Sequence, residues 1–231
     1  MAAMRVPEVN YGEFRPDLIH TDQYKHLKLL LFWPVYALGF ILLENFVNGE
    51  QCHVIHCPLD DRIPFCEWFL IPYVFWYFCL FGISVYTLLY DVSVFRKFMK
   101  YLMLTTGAAF VVYILYPSRQ ELRPQIFFRE NVLTAVVKTL YHVDTNTNVF
   151  PSLHVMHAFA ILSAGLRAKG LEQDVWKWFF GITTVLVCLS TVFLKQHSIL
   201  DGVFALPVCA GAEWLCYGGK TWVNSLRRKT V

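Results

Sequence analysis

Residues 70–90 read LIPYVFWYFCLFGISVYTLLY, an unbroken apolar and aromatic run without one aspartate, glutamate, lysine, arginine or histidine. A helix built from it has no polar face of the kind a water-exposed globular helix keeps. Its length falls within the roughly 17 to 25 residues needed to cross the hydrocarbon core of a bilayer. Five further apolar segments flank it, at 27–47, 101–117, 151–166, 178–194 and 201–217, the full second segment running over 68–90. The fourth and sixth are short for a full crossing and suit helices that start inside a cavity. The expected fold is therefore all-α: a polytopic membrane protein, a bundle of six transmembrane helices.

Composition agrees. Hydrophobic residues make up 56% of the 231 positions, more than one water-facing core requires. A net charge of +3, with lysines and arginines scattered in short clusters between apolar blocks, excludes a nucleic-acid surface. With the N-terminus on the cytoplasmic side, alternation places 14 of the 20 lysines and arginines inside and 6 outside, as the positive-inside rule favours. This predicts a cytoplasmic N-terminal segment (1–26), a membrane domain (27–217) and a basic cytoplasmic tail (218–231). The opening residues lack the basic start and apolar stretch of a cleavable signal. The expected location is the plasma membrane, with the bilayer as the chain's main partner.

Two outer loops are long. Residues 48–67 carry Asp60, Asp61 and Arg62 between Cys57 and Cys66, which an oxidising compartment would allow to pair. Within 118–150, Val132, Val136, Leu140 and Val143 recur at helical spacing, which predicts a helix lying on the membrane surface. The acidic residues of the first loop lack a histidine at ligand spacing, so neither a metal nor another cofactor is expected.

Three groups of polar residues fall on the outer side. Pro151 suits a first helical position and exposes the amides of Ser152, Leu153 and His154, a ready anion site. There His154 could hand a proton to a departing alkoxide; standing alone, the motif reads more readily as a proline-initiated helix with an interfacial histidine. His157, one turn deeper, reads as a packing residue. His197 and Asp201, four apart, share a helix face, so the carboxylate can hold one imidazole nitrogen while the other attacks phosphorus. The competing reading makes Asp201 a helix cap and His197 a loop residue. Arg123, stiffened by Pro124, has the fork that matches phosphate oxygens, with Arg119 and Lys195 in reserve; Arg129 reads as a headgroup contact.

These stretches, YPSRQELRP (116–124), FPSLH (150–154) and STVFLKQHSILD (190–201), resemble the three motifs of the type-2 phosphatidic acid phosphatase superfamily in order and separation. With IHCPLDDRIPFCEWF (55–69) included, the whole chain resembles a group of short bacterial members. The resemblance implies six helices, metal-independent phosphoryl transfer, His197 as nucleophile, Asp201 as its partner, His154 as general acid, and Arg123 with Ser152 on phosphate. Three positions depart from the pattern: Tyr116 stands for the motif lysine, Leu153 for the glycine and Thr191 for the arginine. Two cationic phosphate ligands are thus missing, which either Arg119 and Lys195 replace or a less charged substrate makes unnecessary. The Pro-Ser-Leu-His form resembles the sphingolipid and inositol phosphotransferase branch, which handles phosphodiesters. The leading expectation is hydrolysis of a lipid phosphate or diphosphate through a phosphohistidine. A headgroup phosphotransferase using the same triad is the alternative, and a non-catalytic lipid-binding protein the third reading.

Overall fold

A computed structural model of the chain describes residues 6–47 and 49–218. Of the expected basic tail, everything after Gly218 lies outside the described residues. The run quoted first becomes helix α3 (Leu70–Tyr90), entered through a 3-10 turn at Glu67–Phe69. Its 21 residues rise about 31 Å, enough to cross a bilayer core. Tyr73, Trp76, Leu80, Ile83 and Thr87 recur every three or four residues and turn inward, whereas Ile71, Phe78 and Phe81 are more than half exposed. Large apolar side chains left outside on a helix of this length are lipid-facing in character.

The chain reverses at Asp91, whose Oδ1 accepts from Val94 N (3.1 Å) and caps α4 (Val92–Leu115). That helix begins nine residues before the apolar run expected at 101, because the cap nucleates it and carries Arg96, Lys97 and Lys100 on its first turns. The first segment splits into a 3-10 stretch, Lys25–Leu31, and α1 (Phe32–Phe46). Before α3 the first long loop holds a short strand β1 (His53–Val54) and a five-residue helix α2 (Pro58–Arg62). After α4 come strand β2 (Ser118–Arg119) and α5 (Val132–Val143), then α6 (Leu153–Gly165), α7 (Asp174–Phe193) and α8 (Ile199–Tyr217). A helix therefore forms where the valine and leucine spacing predicts one, started by a capping box in which Asn131 and Thr134 bond reciprocally.

Among the described residues, five helical stretches are long and apolar enough to cross a membrane. The fourth expected span is the exception: α6 has 13 residues, about 20 Å, and sits at the centre of the bundle against α3, α4, α7 and α8. Ala158, Ala160, Ala164 and Gly165 are buried along it, and small residues let neighbouring helices close in. A Cβ added at Gly165 would stand 2.4 Å from the Phe180 ring.

The loops gather at two ends. At one, β1 pairs in parallel with β2, Cys66 N donates to Phe193 O (3.0 Å), and Lys195 Nζ reaches Asp60 O (2.7 Å). At the other, Glu8 N donates to Leu89 O (2.7 Å) and Lys169 N to Asp91 Oδ2 (3.1 Å). This is the alternation expected from loop charge. No disulfide joins the cysteines of the described residues, and Cys57 and Cys66 are both thiols.

Candidate active site

The connection from α7 to α8 is a hook. Lys195 turns it with a left-handed backbone (φ 55°), and the amides of Gln196 and His197 both donate to Thr191 O, at 2.9 and 3.0 Å. Ser198 then caps α8, its Oγ accepting from Leu200 N (3.2 Å). Asp201, in the first turn and fully buried, accepts through Oδ2 from Ser198 N and from His197 Nδ1, each at 3.0 Å. The two readings of Asp201, helix cap and histidine partner, are therefore both true of one oxygen. A carboxylate on Nδ1 makes that nitrogen the donor, which leaves Nε2 of His197 with its lone pair.

Asp201 also ties the two motifs together, because its carbonyl accepts from Ser152 N (3.1 Å). Ser152 caps α6, its Oγ accepting from Val155 N at 3.4 Å. His154 follows in the first turn, and its ring meets that of His197 edge to face with centroids 5.7 Å apart. Tyr73 and Trp76 of α3 lie against the His154 ring, both at 4.6 Å, and its Nε2 is buried without a partner. His157 lies deeper, bonded to Thr106 (3.0 Å) and stacked on Trp76, a packing residue as its position suggested.

The histidines line a cavity of about 30 Å³, room for roughly two waters, with Phe40, Tyr113, Leu153, Asp144, Asn148 and Gln196 among its walls. Leu153 stands where the resemblance calls for glycine, and its first-turn amide, like that of His154, has no helical carbonyl partner. The cations assigned to phosphate are placed elsewhere. Arg123 donates Nη1 to Tyr141 O (2.9 Å) and Nη2 to Asp144 O (2.7 Å), Thr145 O (2.8 Å) and Gln196 Oε1 (2.5 Å). It lies over the Tyr141 ring at 4.5 Å and faces a separate cleft of about 970 Å³. The guanidinium staples the 141–145 turn through Nη1 and Nη2, its Nε buried without a partner, and touches the cavity wall from behind at Asp144, Thr145 and Gln196. Burial pulls its proton affinity down, against the pull of Asp144.

Lys195 and Arg119 do not line the cavity. Lys195 is buried against the first loop, where the Asp60 carbonyl and the charges of Asp60 and Asp61 hold it, burial lowering its pKa. Arg119 pairs with Glu121 (2.8 Å) beside β1. Neither therefore stands at the histidine pair: Lys195 ties its connection to the first long loop, and Arg119 pairs within its own loop. Ser152 is fully buried as a cap and does not line the cavity either.

Two carboxylates matter that sequence reasoning passed over. Asp60 is fully buried and accepts from Ser198 Oγ (2.6 Å), Ile199 N (2.9 Å) and Cys57 N (2.8 Å), so it caps α8 beside His197 from 138 residues away. Burial raises its pKa, but these hydrogen bonds outweigh it and hold the group below the ordinary value. Asp144 lines the cavity; burial raises its pKa, opposed by Tyr73, His197 and Arg123. Only the repeated acidic pair at 60–61 offered a signal, and nothing in the sequence marks residue 144. Among the described residues no group of three or more histidines, cysteines, aspartates and glutamates could hold a metal ion.

A family model described as the PAP2 superfamily matches residues 97–224. The match takes in α4 from Lys97 onward, the histidine pair, Asp201 and Arg123. No curated protein and no solved structure matches the chain.

Proposed function

Because the chain belongs to the PAP2 superfamily, whose members are phosphatases or phosphotransferases, we propose that it cleaves a phosphate ester of a lipid through a phosphohistidine. The carrying observation is the pair of rings 5.7 Å apart, one of them held by a buried carboxylate at 3.0 Å. In this reading His197 Nε2 attacks phosphorus and forms an N–P bond. The P–O bond to the lipid breaks, and the leaving oxygen keeps the electron pair and takes a proton from His154. Water then adds to phosphorus, returns that proton to His154 and releases His197. Asp201 holds the Nδ1 proton and offsets the imidazolium charge that builds up during attack. Phosphate sits at the start of α6, over the amides of Leu153 and His154, where the helix dipole favours an anion.

The full arrangement has α6 as a sixth, shortened membrane segment and α5 as an interfacial helix, with the site on the outer face of the plasma membrane. Val132 and Val143, near the two ends of α5, are each about 80% exposed, which supports an apolar edge against lipid. Purified protein in detergent, with chelator present, is expected to release diacylglycerol or inorganic phosphate from at least one lipid phosphate. His197→Ala should abolish release; an active His197→Ala enzyme would refute the assignment. A second reading, headgroup transfer to another lipid alcohol, is favoured by the small size of the cavity, which has room for few waters to compete for the intermediate. It would appear as headgroup exchange between lipids without free phosphate.

A further inference from the structure

Two side chains of the cavity beside the histidines hold acceptor atoms that no donor of the protein meets. Asp144 uses only Oδ2 in hydrogen bonds, taking Tyr73 Oη at 3.0 Å and Gln196 Nε2 at 3.4 Å, which leaves Oδ1 with none. Asn148 is 4% exposed. Its Nδ2 donates to Glu44 Oε1 (3.1 Å), which fixes the amide orientation and leaves Oδ1 buried with no partner. The backbone there is held, with Asn148 N on Ser118 O (2.8 Å) and φ at 54°, a left-handed conformation asparagine tolerates. An orphaned buried acceptor beside a carboxylate in a ligand cavity asks for hydrogen-bond donors. No lysine or arginine lines the same cavity.

A phosphate monoester dianion answers neither feature, since it brings acceptors and two charges. A phosphodiester carries one charge, and its headgroup can bring O–H or N–H groups. We infer that Asp144 and Asn148 form a donor-binding subsite beside the histidine pair, which selects lipid phosphodiesters whose headgroup carries hydroxyl or ammonium hydrogens. This rests on the phosphoryl-transfer reading above and narrows its substrate. His197 Nε2 bonds to phosphorus, the bond from phosphorus to the diacylglycerol oxygen breaks, and that oxygen takes the His154 proton. The headgroup stays on phosphorus, where its donors meet Asp144 Oδ1 and Asn148 Oδ1.

The test measures diacylglycerol release by the purified full chain in detergent from phosphatidylglycerol, phosphatidylethanolamine, phosphatidylmethanol and phosphatidic acid. The first two offer headgroup donors, the third is a diester without them, and the fourth is a monoester. The kcat/KM for phosphatidylglycerol or phosphatidylethanolamine should exceed that for phosphatidylmethanol and phosphatidic acid at least tenfold. Asp144→Ala should collapse this ratio toward one. Asp144→Asn, which keeps an acceptor and loses the charge, should collapse it for an ammonium headgroup and spare it for a hydroxyl one. Ratios within one preparation are insensitive to a misfolded fraction. Phosphatidylmethanol or phosphatidic acid cleaved as fast as the donor-bearing lipids, or Asp144→Ala slowing all four equally, would overturn the subsite and leave the phosphohistidine reading standing. No release from any lipid, with wild type matching His197→Ala, would overturn both.

Discussion

Asp201→Asn isolates the charge that supports the nucleophile. One oxygen, Oδ2, accepts from both His197 Nδ1 and Ser198 N, while Oδ1 is buried with no partner. An asparagine can keep its oxygen where both donors need it and place its amide nitrogen in the other position. The geometry survives and the negative charge is gone. At 3.0 Å and an effective dielectric near 20, a full charge on the imidazole is stabilised by about 5 kcal/mol. At about 1.4 kcal/mol per factor of ten, kcat should fall about 10³- to 10⁴-fold. The buried amide nitrogen would lack an acceptor, which lowers stability by about 1 to 3 kcal/mol. The assay is lipid turnover under saturating substrate, paired with thermal unfolding in the same detergent. A folded Asp201→Asn enzyme within threefold of wild type would show that Asp201 serves α8 as a cap alone, and the nucleophile assignment would fail with it.

Asp60→Ala strands three buried donors, so it should destabilise the fold by about 3 to 6 kcal/mol, measured by thermal or denaturant unfolding. Because the folded pKa of Asp60 is lowered from 3.8, its contribution is complete above that value and lost as pH falls through the lowered one; Asp60→Asn should flatten this acid limb of the stability profile. Gly165→Ala drives a methyl into Phe180 and should cost about 1 to 3 kcal/mol, with Phe180→Ala in the same chain relieving most of it; a neutral single variant would refute the close α6–α7 approach. Arg123→Lys keeps the charge but cannot span Tyr141, Asp144 and Thr145 at once, so turnover should drop at least tenfold while a lysine that merely neutralised phosphate would work well.

Some of this was legible along the chain because its physics is local. Uninterrupted apolar length fixed where α3, α4, α7 and α8 lie, and the valine and leucine spacing of α5 announced a helix before any packing was known. The His197–Asp201 pair was readable because four residues are few enough to bring the two side chains together, although His197 lies in the hook before α8 and not on its helix face. Proline before serine marked the approach to α6, but Pro151 precedes the cap Ser152 and does not take the first helical position, which falls to Leu153. Length alone could not say that α6 would be a short central post, since a 16-residue apolar stretch suits either role until the neighbours that bury it are in place.

The cations and the outer carboxylates were decided by tertiary structure. Arg123, Lys195 and Arg119 have the charge that phosphate attracts, yet backbone carbonyls and a neighbouring glutamate claim them, and which acceptor wins depends on loops folded from distant segments. Asp60 reaches Ser198 across 138 residues and Asp144 reaches the histidines from the end of α5, separations with no period to reveal them. Chain-local rules fix what a segment becomes; the partner of a buried charge is fixed only when desolvation in the folded interior leaves it one set of neighbours to satisfy.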